Sequence, residues 1–74
     1  MPIPAELDGR SIIAAAPTYQ FVDRTDYVVV TTWDPPTPFV VRAMTIANDA
    51  IIGHGSGAYF FHLKDAIHEF KSYL

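Results

Sequence analysis

Residues 27–46 read YVVVTTWDPPTPFVVRAMTI, two apolar and β-branched runs separated by three prolines. The first run, residues 27–33, contains neither glycine nor proline and predicts a strand, as does the second run over residues 39–46. Proline lacks an amide donor and holds φ near about −65°, so a strand ladder cannot continue through residues 34–38. The stretch therefore predicts an antiparallel hairpin that is closed by a rigid turn.

The N-terminal side of this hairpin is less regular. Residues 1–10 are predicted to form an arm, with one helical turn after Pro4, because proline suits the first position of a helix. Residues 11–16, SIIAAA, are compatible with strand or helix, since isoleucine favours the former and alanine the latter. Pro17 is expected to break the chain, and residues 19–22 predict a short strand.

The C-terminal side ends in a helix. Residues 50–52 predict a short strand after an Asn-Asp turn, and residues 53–57, GHGSG, predict a flexible loop. Apolar residues then recur at spacings of three and four, which predicts an amphipathic helix; they are Leu63, Ala66, Ile67, Phe70 and Leu74. The sequence thus predicts one α+β domain over residues 1–74, with an antiparallel meander of three or four strands within residues 19–61. The helix, residues 62–74, is expected to pack on one face of that sheet.

Charge and composition restrict the classes of partner. Five Lys and Arg against eight Asp and Glu leave a net charge of −3, which disfavours nucleic acid because phosphate binding requires a basic patch. Residues 1–9 lack the features of a secretory signal, and the uncharged stretch around Pro17 is too short to span a bilayer. The chain has no cysteine, which suits a reducing compartment. We therefore expect a cytoplasmic protein without a membrane or nucleic-acid partner.

The sequence contains no constellation that is typical of catalysis or of a cofactor. His54, His62 and His68 match no zinc-binding spacing. GHGSG lacks the flanking residues of a dinucleotide or phosphate loop, and the serines lack a nucleophile context. We expect a protein that is not an enzyme and uses no metal or cofactor; a small ligand-binding or metal-binding domain that uses the histidines is the alternative.

Both predicted strands of the hairpin are apolar on both faces, whereas sheets with one face in water usually alternate. One helix covers one face. The other face could be covered by the N-terminal half of the chain, through the apolar side chains of Ile12, Ile13, Tyr19 and Phe21. It could instead be buried against a second molecule, because large exposed apolar patches usually mark interaction sites.

These observations favour a non-enzymatic module that binds another protein. Tryptophan and tyrosine are preferred anchors in interfaces, although Trp33 could also be a core residue that caps the sheet. Three successive aromatic residues at 59–61 cannot all face inward. The candidate partner-binding residues are Trp33, Phe39, Tyr59, Phe60 and Phe61. A homodimer that buries the second sheet face is the alternative.

The order of three segments resembles a kind of small protein found in actinobacteria and their bacteriophages. The segments are YVVVTTWDPPTPFVV, GHGSGAYF and LKDAIHEF, and together they span residues 27–70. Proteins of this kind have a hairpin with a tryptophan and Asp-Pro before its turn, a Gly-His-aromatic stretch and a terminal amphipathic helix. The resemblance implies a phage or prophage accessory protein that acts in a host cytoplasm by binding a host protein.

Overall fold

The computed structural model describes residues 3–55 and 57–74. It contains six strands and one helix: β1 (Glu6–Leu7), β2 (Arg10–Gln20), β3 (Thr25–Thr32), β4 (Phe39–Ala47), β5 (Ala50–His54), β6 (Ala58–Phe60) and α1 (Leu63–Ser72). Every strand pairing is antiparallel, in the order β1-β2-β3-β4-β5, and β6 also pairs with β4. The predicted antiparallel sheet with one C-terminal helix is confirmed, although the sheet has more than the three or four strands expected.

One reason for the larger number of strands is that two short strands, β5 and β6, instead of one, pair with the same edge of β4. β5 pairs with the C-terminal half of β4 and β6 pairs with its N-terminal half, on the edge that β3 leaves free. Between the two strands, the Gly55 amide donates a hydrogen bond to the Ala43 carbonyl oxygen at 3.1 Å. A Cβ atom on Gly57 would lie 2.8 Å from the Cβ of Arg42 and closer still to the carbonyl oxygen of Val41. Glycine at position 57 therefore lets the chain return to β4 and form β6.

The hairpin turns follow their local chemistry. Trp33 donates its amide hydrogen to the carbonyl oxygen of Pro38 at 2.8 Å, which closes the proline-rich turn between β3 and β4. Asn48 and Asp49 both have positive φ, 52° and 62°, and connect β4 to β5 as the two central residues of a tight turn. This conformation suits asparagine and aspartate among the non-glycine residues.

Two N-terminal predictions are wrong. Glu6–Leu7 forms β1 instead of the predicted helical turn, and the chain reverses through Asp8 and Gly9, which both have positive φ. Pro17 does not break the chain but lies within β2. Among the described residues, β2 has a strand neighbour on only one side at this point, and its register shifts just after Pro17. Edge strands and bulges are where a sheet tolerates proline, because the missing amide interrupts no ladder there.

Helix α1 covers one face of the sheet, which we call the helix face. Its buried residues Ala66 and Phe70 pack with Val28, Val30 and Val41 from the two central strands. An acidic residue in the first turn and a basic residue in the last turn complement the helix dipole. An isolated helix of this length is marginal in water, so contact with the sheet is what stabilises it.

The opposite face, which we call the concave face, holds a second buried cluster made of Leu7, Tyr27, Val29, Met44 and Ile46. The Arg42 Nη2 on β4 donates a hydrogen bond to the carbonyl oxygen of Leu7 on β1 at 3.3 Å. Two strands lie between β1 and β4, and in a flat sheet three spacings of about 4.8 Å would separate them. The sheet must therefore curl toward this face, and Leu7 is 1% exposed as a result.

The N-terminal half covers the concave face, but only one of the four side chains considered for this role from the sequence contributes. Ile12 packs against the buried cluster, and so does Ala15. The other three candidates, Ile13, Tyr19 and Phe21, remain exposed. Leu7, which the sequence placed in an arm, provides the buried contact instead.

Candidate functional site

Trp33 and Tyr59 meet at one end of the concave face. Trp33 follows β3 with the same strand parity as Val29 and Thr31, and Tyr59 lies on β6 opposite Val40. The two ring centroids are 5.5 Å apart with an interplanar angle of 73°, an edge-to-face arrangement that aromatic pairs favour. Tyr59 is 47% exposed, so the pair is accessible from solvent.

Arg10 lies over the tryptophan ring, with its guanidinium carbon 4.4 Å from the ring centroid. It also donates two hydrogen bonds to the carboxylate of Asp34, at 2.7 and 3.0 Å. These hydrogen bonds, together with the charge of Arg10, hold the pKa of Asp34 below its ordinary value, and the same hydrogen bonds raise the pKa of Arg10. Arg10 therefore covers one face of the Trp33 ring while it is paired with Asp34.

Arg42 approaches the same ring from within the sheet, at 5.5 Å from the centroid. Its side chain lies among the core residues of β4, and the residue is 7% exposed. Its Nη2 donates the hydrogen bond to Leu7, whereas its Nε has no hydrogen-bond partner among the described residues. The ion pairs of the described chain join Arg10 to Asp34 and Arg24 to Asp23, so no carboxylate pairs with Arg42. Buried guanidinium groups are normally paired, because an isolated buried charge is costly.

A second buried polar group lies beside Arg42. Thr31 is fully buried, and its Oγ1 has no hydrogen-bond partner in the described part of the chain. The register places Val29 opposite Arg42 and Thr31 opposite Val40, so Thr31 and Arg42 are diagonal neighbours on the concave face. We call the group formed by Arg10, Thr31, Trp33, Arg42 and Tyr59 the aromatic–arginine site.

The structure divides the five predicted partner-binding residues among three places. Trp33 and Tyr59 come together in the aromatic–arginine site. Phe39 and Phe60 are direct partners across β4 and β6, and they pack partly buried on the helix face. Phe61 is 63% exposed and lies between β6 and α1.

Sequence reasoning missed the polar members of the site. Arg42 carried a usable signal, because it is the one charged residue in β4 and shares its face with Val40, Met44 and Ile46. Thr31 carried none, since threonine is common in strands. Arg10 reaches Asp34 across 24 positions of sequence, a proximity that only the tertiary fold creates.

Two open clefts among the described residues are lined by other parts of the fold and include neither Trp33 nor Tyr59. One of about 320 Å³ lies between β4, β6 and Tyr73 and includes Arg42 in its lining. The other, of about 440 Å³, lies between the β2–β3 turn and the β4–β5 turn. The Trp33–Tyr59 pair lies outside both of these clefts, with Tyr59 exposed to solvent.

The histidines are separated by the fold. His54 ends β5, His62 precedes α1 and His68 lies within the helix. Within residues 3–55 and 57–74, no group of three or more His, Asp or Glu side chains is arranged to hold a metal ion. No helix in the described chain is long and apolar enough to cross a membrane.

Comparisons with protein-family models, curated proteins and solved structures found no match to this chain. The interpretation of the site therefore rests on its own geometry. Chemically, the site offers two aromatic rings for packing, one paired arginine, and a buried guanidinium and hydroxyl with unused hydrogen-bonding capacity.

Proposed function

We propose that this chain is a non-enzymatic protein-binding module that captures a segment of a partner protein at the aromatic–arginine site. The observation that supports this function is the edge-to-face pair of Trp33 and Tyr59, which is bordered by two arginines and open to solvent on the tyrosine side. Tryptophan, tyrosine and arginine are the residue types that contribute most often to binding energy in protein interfaces.

The pair is also held in place before any partner arrives. The amide of Trp33 is bound to the proline-rich turn, Arg10 is clamped to Asp34 above the ring, and Tyr59 is fixed by the pairing of β6 with β4. Binding then requires little further ordering of these side chains, and ordering of side chains is one of the main costs of association. The resemblance to small accessory proteins of actinobacteria and their bacteriophages supports a host-cell protein as the partner.

The proposal is tested by selecting peptides from a random displayed library on the intact chain. Trp33 is the one tryptophan of the sequence, so its emission reports directly on the site. We expect selected peptides that change the emission of Trp33 and lose at least about tenfold in affinity on Tyr59→Ala, since interface anchors cost about 1 kcal/mol or more on truncation. Tyr19→Ala is the matched control, because Tyr19 is also exposed but stacks on Phe21 rather than on Trp33.

Two results would contradict this function. Peptides that bind the wild-type chain and Tyr59→Ala equally well would place the binding surface elsewhere. Selection that returns no peptide able to change the emission of Trp33 would remove the aromatic–arginine site as an interface.

A homodimer stays a second prediction, favoured by one feature of the sheet. The Ile12 amide still donates a hydrogen bond to the Ala5 carbonyl oxygen, but beyond Ile12 the outer edge of β2 pairs with no other strand among the described residues. An open strand edge is able to pair with another chain. Light scattering after size exclusion, repeated across a wide dilution series, measures the mass: a constant monomer mass would exclude the dimer, and a constant dimer mass would support it.

A further inference from the structure

We infer that residues 5–9, which contain β1, form a strap that opens from the concave face while the rest of the sheet stays folded, and that its opening brings the guanidinium of Arg42 into water. The observation that carries this inference is the contact between the two. The strap lies against the buried Arg42 but offers it only a neutral partner, the carbonyl oxygen of Leu7. This motion belongs to the chain by itself and does not depend on a partner.

The strap has few attachments to the sheet. β1 pairs with β2 over two residues, and the Ile12 amide donates one further hydrogen bond to the Ala5 carbonyl oxygen at 2.9 Å. No strand of the described chain pairs with the outer edge of β1. Leu7 is the one buried residue of the strap, and the other four are exposed. A segment with so few buried contacts opens at a lower free energy than the core.

Closure of the strap has opposite effects on two side chains. It buries Leu7 in the apolar cluster of the concave face, which favours the closed form. It also covers the guanidinium of Arg42, to which it gives a single hydrogen bond of 3.3 Å. Among the described residues, the Nε of Arg42 has no partner and no carboxylate pairs with this side chain. Removing a charge from water is costly unless it is paired, so the burial of Arg42 opposes the burial of Leu7.

The turn after β1 provides the hinge. Asp8 and Gly9 both have positive φ, 54° and 76°. This left-handed conformation is unfavourable for a residue with a side chain, so release of the turn relieves strain at Asp8. The guanidinium carbon of Arg42 also lies 5.5 Å from the centroid of the Trp33 ring. Water that reaches Arg42 when the strap opens therefore arrives beside the aromatic–arginine site.

Hydrogen exchange of the wild-type chain, followed by NMR, measures the opening. The Ile12 amide reports on the strap, because the acceptor of its hydrogen bond is the Ala5 carbonyl oxygen. We expect its protection from exchange to be at least about tenfold lower than that of the paired amides of β3. Low concentrations of urea should leave it unchanged, since a local opening exposes little surface. The Nε–H of Arg42 should exchange with water in step with the Ile12 amide.

A disulfide between positions 6 and 11 provides a locked form. The chain has no cysteine, so Glu6→Cys with Ser11→Cys introduces a single pair. The two positions are partners across β1 and β2, next to the hydrogen-bonded pair of Ala5 and Ile12. In an antiparallel ladder such a neighbouring pair is not hydrogen-bonded, and its Cα atoms lie about 4.5 Å apart, a distance that a disulfide spans.

Oxidation of this double variant should slow exchange of the Ile12 amide and of the Arg42 Nε–H by at least about tenfold. The same variant with its cysteines reduced is the matched control, and both groups should exchange in it as in the wild-type chain. Local opening is the step that the disulfide prevents, so the lock separates the strap from global unfolding.

Three results would overturn the inference. Equal protection and equal urea dependence of the Ile12 and β3 amides would mean that the strap opens only when the whole chain unfolds. If the disulfide does not slow exchange of the Ile12 amide, water reaches this amide with the strap in place. If it does not slow exchange of the Arg42 Nε–H, the guanidinium reaches water by another route. None of these results depends on peptide binding, so the strap and the proposed function are tested separately.

Discussion

Replacement of Gly57 by alanine should destabilise the protein, because the added methyl group has no space. Its Cβ would lie 2.8 Å from the Cβ of Arg42 and from the carbonyl carbon of Val41, distances that real Cβ atoms essentially never show, and it would overlap the Val41 carbonyl oxygen. Two of these atoms are backbone atoms of the central strand β4, so no rotation of a side chain can relieve the contact. Either β6 moves away from β4, or β4 itself distorts.

The expected cost lies at the upper part of the range for overpacking, about 2–3 kcal/mol in the free energy of unfolding. For a domain of this size, that corresponds to a fall in Tm of roughly 10–20 °C. Urea unfolding, followed by circular dichroism and by the emission of Trp33, measures it. Because β6 also carries Tyr59, the emission of folded Gly57→Ala should differ from that of the wild-type protein.

Gly55→Ala is the matched control, two residues away in the same interruption of the sheet edge. No heavy atom lies within 4 Å of its added Cβ, and Gly55 does not have positive φ. Its stability should stay within about 0.5 kcal/mol of the wild type or rise slightly, because alanine restricts the unfolded chain. Equal stability of Gly57→Ala and Gly55→Ala would refute the packing of β6 against β4 described above.

Three further predictions concern stability. Leu7→Ala should cost about 2–5 kcal/mol in the free energy of unfolding, whereas the exposed Leu63→Ala should cost less than about 0.5 kcal/mol; equal losses in urea unfolding would mean that β1 does not close the concave face. Asp49→Gly should raise stability by about 0.5–1 kcal/mol, because Asp49 has φ of 62° and glycine adopts this conformation without steric cost; a lower Tm would contradict the turn geometry. The hydrogen bonds from Arg10 lower the pKa of Asp34, so their contribution to stability is complete above the unfolded-state carboxyl pKa of about 3.9 and is lost as the pH falls through the lower folded-state pKa. Asp34→Asn should therefore flatten part of the acid limb of the stability profile, and an unchanged acid limb would show that this ion pair contributes nothing measurable.

Local patterns were sufficient for the central hairpin and the helix. The valine-rich run before Trp33 and the prolines after it predict a strand and its end through properties of single residues, and β3 and its turn lie there. The spacing of the apolar residues predicts the face of α1 that contacts the sheet: Ala66 and Phe70 are buried and Ile67 is partly buried. Leu63 and Leu74, at the two ends of that predicted face, are exposed instead. These predictions succeeded because β-branched side chains, proline and an amphipathic period determine the conformation of residues close by in the sequence.

The N-terminal predictions failed because they depended on distant contacts. Pro17 is compatible with a strand only if that strand has a free edge and a bulge, which depends on where β1 ends. Leu7 belongs to the core only because the sheet curls, so that β1 comes within hydrogen-bonding distance of Arg42 on β4. Neither condition leaves a trace in the residues nearby.

The candidate site, too, has features that the sequence predicts and features that only the tertiary structure creates. The sequence by itself determined that Trp33 stands at the end of a strand beside a rigid turn, and that the chain has more apolar strand surface than one short helix covers. Only the tertiary structure brought Tyr59 to its ring, placed Arg10 above it and left Arg42 buried without a carboxylate partner in the described chain. The physical reason is that strand pairing and curl determine which side chains meet across the sheet, and these depend on how all the strands pack together.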